Sequence, residues 1–230
     1  MLEKTAVRAG AAGVAMLLLP AGAPAEGQDR DRSDYTEMAP QKLAEHLIFE
    51  AGGFAVDQQT QEDGKLGERL EQDKLQKICS RRKGGEVGSD TAKQVREIAR
   101  SNMAYPEGGV ELGDWKKGQA IAENAFGWRV GHKVDDHGER DPGGLCINCH
   151  ALEEGKAHRS GTLGPSLTGY GDERGRDQET IKYTYEMIYN PHVAFPCTNM
   201  PRLGANGVLT KAQIKHVLAY LLDPDSPVNQ

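Results

Sequence analysis

Cys146-Ile147-Asn148-Cys149-His150 is the stretch from which the rest of the sequence is read. Two cysteines three positions apart can each add across a vinyl group of haem, giving two thioether bonds. A histidine directly after them is then held beneath the iron as an axial ligand. Two other chemistries use paired cysteines. A redox dithiol of thioredoxin type sits in a βαβ pattern, and none surrounds this motif. A structural zinc site needs a second ligand pair at suitable spacing, and the remaining cysteines, Cys79 and Cys197, are too far apart to supply one. The motif therefore predicts one haem c attached to Cys146 and Cys149, with His150 on the iron.

An iron bound by one histidine has an open face, and the chain after the motif is read for what closes it. Gly161 to Leu167 is a turn-rich loop. A helix is expected over Gln178 to Tyr189, stopping before Asn190-Pro191 because proline restricts the residue ahead of it. The last helix is the clearest: Thr210 caps it, Gln213 completes a capping box, and Ile214, Val217, Leu218 and Leu221 form an i, i+3, i+4, i+7 stripe before Asp223-Pro224. Met200, in Asn199-Met200-Pro201, lies in the loop between these two helices. That order lets the chain wrap round a haem and present a thioether from the far side, which favours Fe(II) and suits an electron carrier. The rival ligands are His132, His137, His158, His192 and His216. His192 is the strongest of them, since it shares the loop with Met200. Pro165 is expected to pack against His150 and to let a nearby carbonyl accept the ring N–H, orienting the imidazole. With both axial positions filled, the iron cannot take a substrate without losing a ligand, which argues for electron transfer. A peroxidase-like enzyme would instead need an open or displaceable site.

Before the motif, Asp114 is expected to cap a helix carrying Trp115, Gly118, Ala122 and Phe126 on one face. This first core helix should cross the last, with Gly118 or Ala122 lying against Leu218 or Tyr220, because small residues allow close approach. Gly127 to Gly144 reads as a long loop. Further upstream, Pro40 suits the first turn of a helix bearing Leu43, Leu47 and Ile48, with Gly52-Gly53 ending it. A second helix is expected over Leu66 to Cys79, and Ser89-Asp90 could cap a third bearing Val95, Ile98 and Ala99. This region is polar and thin in apolar residues, more like an appendage than a self-sufficient domain. No segment has a convincing strand alternation. The expected fold is all-α: a compact haem-binding core at 105–230, preceded by a helical extension at 26–104.

Residues 1–25 read as an export signal. Lys4 and Arg8 are followed by the apolar run Ala11 to Leu19 and the small-x-small site Ala23-Pro24-Ala25. The run is too short to span a bilayer, so no membrane span is expected in the mature chain; the alternative is an uncleaved anchor. No twin-arginine pair is present in this leader. The polar, charged run Glu26 to Asp34 follows. The formal charge of the 230-residue chain is −6, an acidic balance that gives no support for nucleic-acid binding. Export places the chain where haem c is attached and where thiols oxidise. Cys79 and Cys197 then have two arrangements open to them. They can be bridged, tying the extension to the methionine loop, or they can stay as thiols that react or join another chain.

Longer matches sharpen this. Gly161-Thr-Leu-Gly-Pro-Ser-Leu-Thr-Gly-Tyr-Gly171, Tyr185-Glu-Met-Ile-Tyr-Asn190 and Pro196-Cys-Thr-Asn-Met-Pro-Arg-Leu-Gly204 resemble SoxX, as does the ending from Leu209 to Val228. SoxX is the monohaem cytochrome c subunit of the SoxAX complex of bacterial sulfur oxidation. The resemblance covers roughly Gly113 to Val228, and it implies a class I cytochrome c core. It also implies a heterodimer with a SoxA-like subunit that holds the transferase cysteine, the SoxYZ carrier as the protein receiving thiosulfate, a downstream cytochrome as acceptor, and a periplasmic location. Carried onto this chain, it makes His150 and Met200 the axial ligands. A free-standing soluble carrier is the competing expectation.

Overall fold

The computed structural model describes residues 35–60, 63–80, 86–127 and 141–230. The expected leader, its cleavage site, the charged run to Asp34, most of the basic turn 81–88, and His132 and His137 lie outside them. The helices in chain order are α1 (Pro40–Glu45), α2 (Leu66–Leu70), α3 (Lys74–Ser80), α4 (Ser89–Ser101), α5 (Trp115–Glu123), α6 (Tyr170–Arg174), α7 (Gln178–Tyr189) and α8 (Lys211–Leu222). No strand occurs among the described residues, only an isolated bridge between Gln59 and Lys65. Among the same residues, no helix is long and apolar enough to cross a membrane.

The chain divides into two compact units, Met1–Glu45 and His46–Gln230. The described part of the first ends in α1, where Lys42 pairs with Glu45 at 3.1 Å. The second opens with a π-turn, His46–Glu50, and Gly52 follows at φ 70°.

The helix expected over Leu66 to Cys79 is two helices. The chain breaks at Glu71, which is extended at φ −69°, ψ 123°, and restarts at Asp73. The Asp73 carboxylate accepts the Gln76 N–H at 2.8 Å, and the Gln76 side chain accepts the Asp73 N–H at 2.9 Å. This reciprocal pair is a strong start signal, and it overrides propensity for one continuous helix. The next helix also starts differently from expectation. Gly88 is its N-cap, and Ser89 and Asp90 already lie inside the first turn. Val95 and Ala99 on α4 are fully buried, in a small cluster with Leu75, Val193 and Cys197.

The main core is built round α8. Thr210 and Gln213 form the capping box, and Asp223-Pro224 follows the last turn. The stripe Ile214, Val217, Leu218 and Leu221 is buried, but so are Ala219, Tyr220 and Leu222. The C-terminal half of α8 is enclosed because α5, α6, α7 and the 3₁₀ turn Pro227–Asn229 all contact it. A helix enclosed in this way is apolar round most of its circumference. On α5, Asp114 accepts the N–H groups of Lys116 and Lys117 as the cap. The α5/α8 crossing is close at Gly118: an added Cβ would run into the His216 carbonyl oxygen and lie 2.8 Å from Tyr220 Cβ. The expected contact between Gly118 and Tyr220 is present. The crossing is tied at its end by Gly113 N–H to Lys215 O and Asp114 N–H to His216 Nδ1, both 2.9 Å. On α7, the fully buried Tyr185 stacks between Tyr105 and Tyr189 and donates its hydroxyl to Ala104 O at 2.7 Å.

Candidate functional site

The cysteine–histidine motif hangs from the end of α5. Gly143 N–H donates to Phe126 O and Gly144 N–H to Ile121 O, and an added Cβ at Gly143 would strike Asn124. Leu145 then takes a left-handed conformation, φ 49°, and Cys146–Asn148 forms a 3₁₀ turn closed by Cys149 N–H and His150 N–H on Cys146 O. The loop that follows folds back over this turn. Gly161, Gly164 and Leu167 donate their N–H groups to Ile147 O, Cys149 O and Ala151 O. Any side chain on Gly161 would overlap the Asn148 carbonyl.

This fold-back fixes His150. Its Nδ1 lies 2.7 Å from the carbonyl oxygen of Pro165. A carbonyl only accepts, so the proton is on Nδ1 and the Nε2 lone pair is left for a metal. The expected contact of Pro165 with His150 is thus made by its carbonyl. Gly164 lies against the ring, where an added Cβ would be 2.6 Å from Nδ1.

Both motif cysteines are free of any disulfide. Burial pushes the Cys146 thiol up to about 11, and Cys146 packs against the main core together with Ile147. A redox-active dithiol requires the opposite shift, toward thiolate. The pair therefore fits thioether attachment: two unbridged thiols on one turn, and a histidine whose outward nitrogen carries the lone pair. Bound there, a haem would supply a one-electron Fe(III)/Fe(II) couple.

The methionine loop is held at several points. Met200 is half-buried, and its N–H donates to Thr198 Oγ1 at 3.3 Å. Cys197 is joined to Cys79 by a disulfide, which decides between the two arrangements the sequence leaves open. Arg202 is 7% exposed and donates to Asp73 at 2.7 Å. Gly204 lies on the Tyr189 ring, and Ala205 N–H reaches Tyr189 O.

His192, the rival in this loop, is arranged unlike His150. Its Nδ1 accepts the Cys197 N–H at 2.9 Å, so its proton sits on Nε2 and neither nitrogen offers a free lone pair. Burial, helped by Arg202 and opposed by Asp73, lowers it to about 4 and keeps it neutral. His216 accepts at the α5/α8 crossing, and His158 is exposed in a 3₁₀ turn.

Nothing in the local pattern singles out Glu153. In Leu152-Glu153-Glu154-Gly155 it reads as surface, yet it is 7% exposed. It accepts from Gln119 Nε2 and from the Tyr220 hydroxyl, both at 2.8 Å, and pairs with Lys156. Burial alone would raise this carboxyl, but the donors outweigh it and hold it below the usual range. The network joins α5, α8 and the segment just after the motif.

The model of the cytochrome c family matches residues 115–223, from the start of α5 to just past the end of α8. The chain is also 38% identical, over 166 residues, to a protein of Aquifex aeolicus (strain VF5) described as an uncharacterized lipoprotein. The aligned part is 69% of this chain and 73% of that protein. An all-α core with its first helix crossed on its last, and a pair of thiols beside an oriented histidine, carry the same conclusion: residues 115–223 form a cytochrome c domain of the class I fold, an electron-transfer domain with covalently bound haem c.

Proposed function

We propose that this chain is the SoxX-like electron-transfer subunit of a periplasmic thiosulfate-oxidising complex. Cys146 and Cys149 hold its single haem, and His150 and Met200 are the axial ligands. The reaction it serves joins thiosulfate to a cysteine of a SoxYZ carrier, forming a sulfur–sulfur bond and releasing two electrons. A SoxA-like partner holds the transferase cysteine, and this chain's haem passes electrons to a downstream cytochrome. The observation that carries this reading is the disposition of the four cysteines. Cys79 and Cys197 are bridged, and Cys146 and Cys149 stand in the attachment motif. None is left to carry a sulfur substrate, so the chain's part is electron transfer. Two of the segments resembling SoxX carry the proposed ligands' surroundings in sequence: Gly161–Gly171 includes the Pro165 carbonyl that orients His150, and Pro196–Gly204 includes Met200. A partner surface is supported by Leu47, Phe49 and Phe54, which are 39–48% exposed within eight residues.

The test is expression of the full chain with haem maturation in its native host, followed by affinity purification. Stoichiometric recovery of a second haem-bearing chain, and haem reduction by thiosulfate only when that chain and the carrier are present, are the expected results. A monomer that purifies alone and is indifferent to thiosulfate would instead make it a free-standing carrier.

A further inference from the structure

Met200 lies between two tethers that end on the same helix. Three residues before it, Cys197 is bonded to Cys79 in the last turn of α3. Two residues after it, Arg202 donates to Asp73, the residue that starts α3. Asp73 is itself fixed, because its other carboxylate oxygen accepts the Gln76 N–H of the first turn. From Asp73 to Cys79 the helix rises about 9 Å, while the backbone from Cys197 to Arg202 can reach about 17 Å when extended. The segment is therefore held as an arch, and Cys197 enters it in a left-handed conformation, φ 59°. Leu75 and Val95 pack beneath, in one cluster with Cys197 and Val193.

We propose that α3 is a splint for the methionine loop, with Asp73 and Arg202 as positioning residues that keep the thioether on the iron and slow its release. This rests on the reading of Met200 as the sixth ligand. A ligand loop releases its side chain by opening, and each tether removes open conformations, so the opened state is less populated when both are intact. The extension thereby controls access of outside molecules to the iron.

The test uses the full-length ferric holoprotein. Asp73→Asn keeps an acceptor for Gln76, since Asn caps helices well, but turns the atom facing Arg202 into a donor. Stopped-flow binding of imidazole reads loop opening, and the methionine–iron charge-transfer band reads ligation. Expected are a wild-type band, imidazole binding at least tenfold faster in Asp73→Asn under conditions where its far-ultraviolet circular dichroism matches wild type, and a rate restored toward wild type in Asp73→Glu. Glu111→Gln, which breaks the Lys215–Glu111 pair elsewhere, should leave the rate alone. A wild-type band with an unchanged rate in Asp73→Asn, or an equal acceleration in Glu111→Gln, overturns the splint and leaves Met200 as ligand. Absence of the band in the wild type overturns the ligand reading and the splint with it.

Discussion

At the scale of single residues, the site depends on which nitrogen of each imidazole is committed. His150 and His192 are both histidines in loops, and composition does not separate them. The Pro165 carbonyl makes His150 a donor at Nδ1, whereas the Cys197 N–H makes His192 an acceptor there. One ring therefore presents a lone pair and the other does not. The orientation of His150 is steric as well as polar, because Gly164 leaves no room for a methyl beside the ring. Gly164→Ala should displace the imidazole from the Pro165 carbonyl. Holoprotein yield should fall by roughly tenfold or more, the scale of losing an orienting partner, and the remaining ferric protein should turn high-spin. Haem absorbance per polypeptide and the ferric spectrum check both. The cysteine–histidine motif was readable from five residues because covalent attachment needs fixed spacing in sequence. The Glu153 network was not, since burial of a carboxylate depends on donors from Gln119 and Tyr220, which only tertiary contact supplies.

At the scale of elements, capping and periodicity located most helices. The bounds of α7 and the cap of α8 follow from Asn190-Pro191 and from the Thr210–Gln213 box, which are local signals. The break between α2 and α3 is not legible in the sequence, because Asp73 and Gln76 form their reciprocal pair inside a stretch that reads as one helix. The crossing of α5 and α8 is the element contact on which the core depends. Gly118→Ala places a methyl against the His216 backbone, which cannot move without shifting α8. It should cost about 3 kcal/mol, the upper part of the range for overpacking. Urea unfolding, followed by far-ultraviolet circular dichroism, measures this, and a variant as stable as wild type would show that the helices can separate without penalty.

At the scale of the whole molecule, several titratable groups respond to acid in the same sense. The folded-state value of His192, about 4, lies below the ordinary histidine value of about 6.5. The unfolded chain therefore takes up the proton first. Stability is full above about pH 6.5 and is lost as pH falls toward 4, by about 3 kcal/mol over the whole window. Glu153 and Asp73 are both held low, so their contributions are present above the ordinary carboxylate range and are lost as pH falls through their folded values. Thermal unfolding between pH 7 and 4.5 should show a falling midpoint, and His192→Gln should flatten the upper part of that fall. A slope equal in wild type and variant would mean that His192 is not what couples stability to acid here.

The sequence by itself determined the haem chemistry, the all-α class and most helix ends, because each is set by residues close together in the chain: a five-residue motif, a cap, a proline. Tertiary structure alone decided the rest. The pairing of Cys79 with Cys197 spans 118 positions, the Asp73–Arg202 bond 129, and the burial of α8 on nearly every side requires α5, α6 and α7 to arrive from distant parts of the sequence. Local pattern carries no record of such meetings, since a thiol, a carboxylate or an apolar face has the same sequence signature whichever partner it finds.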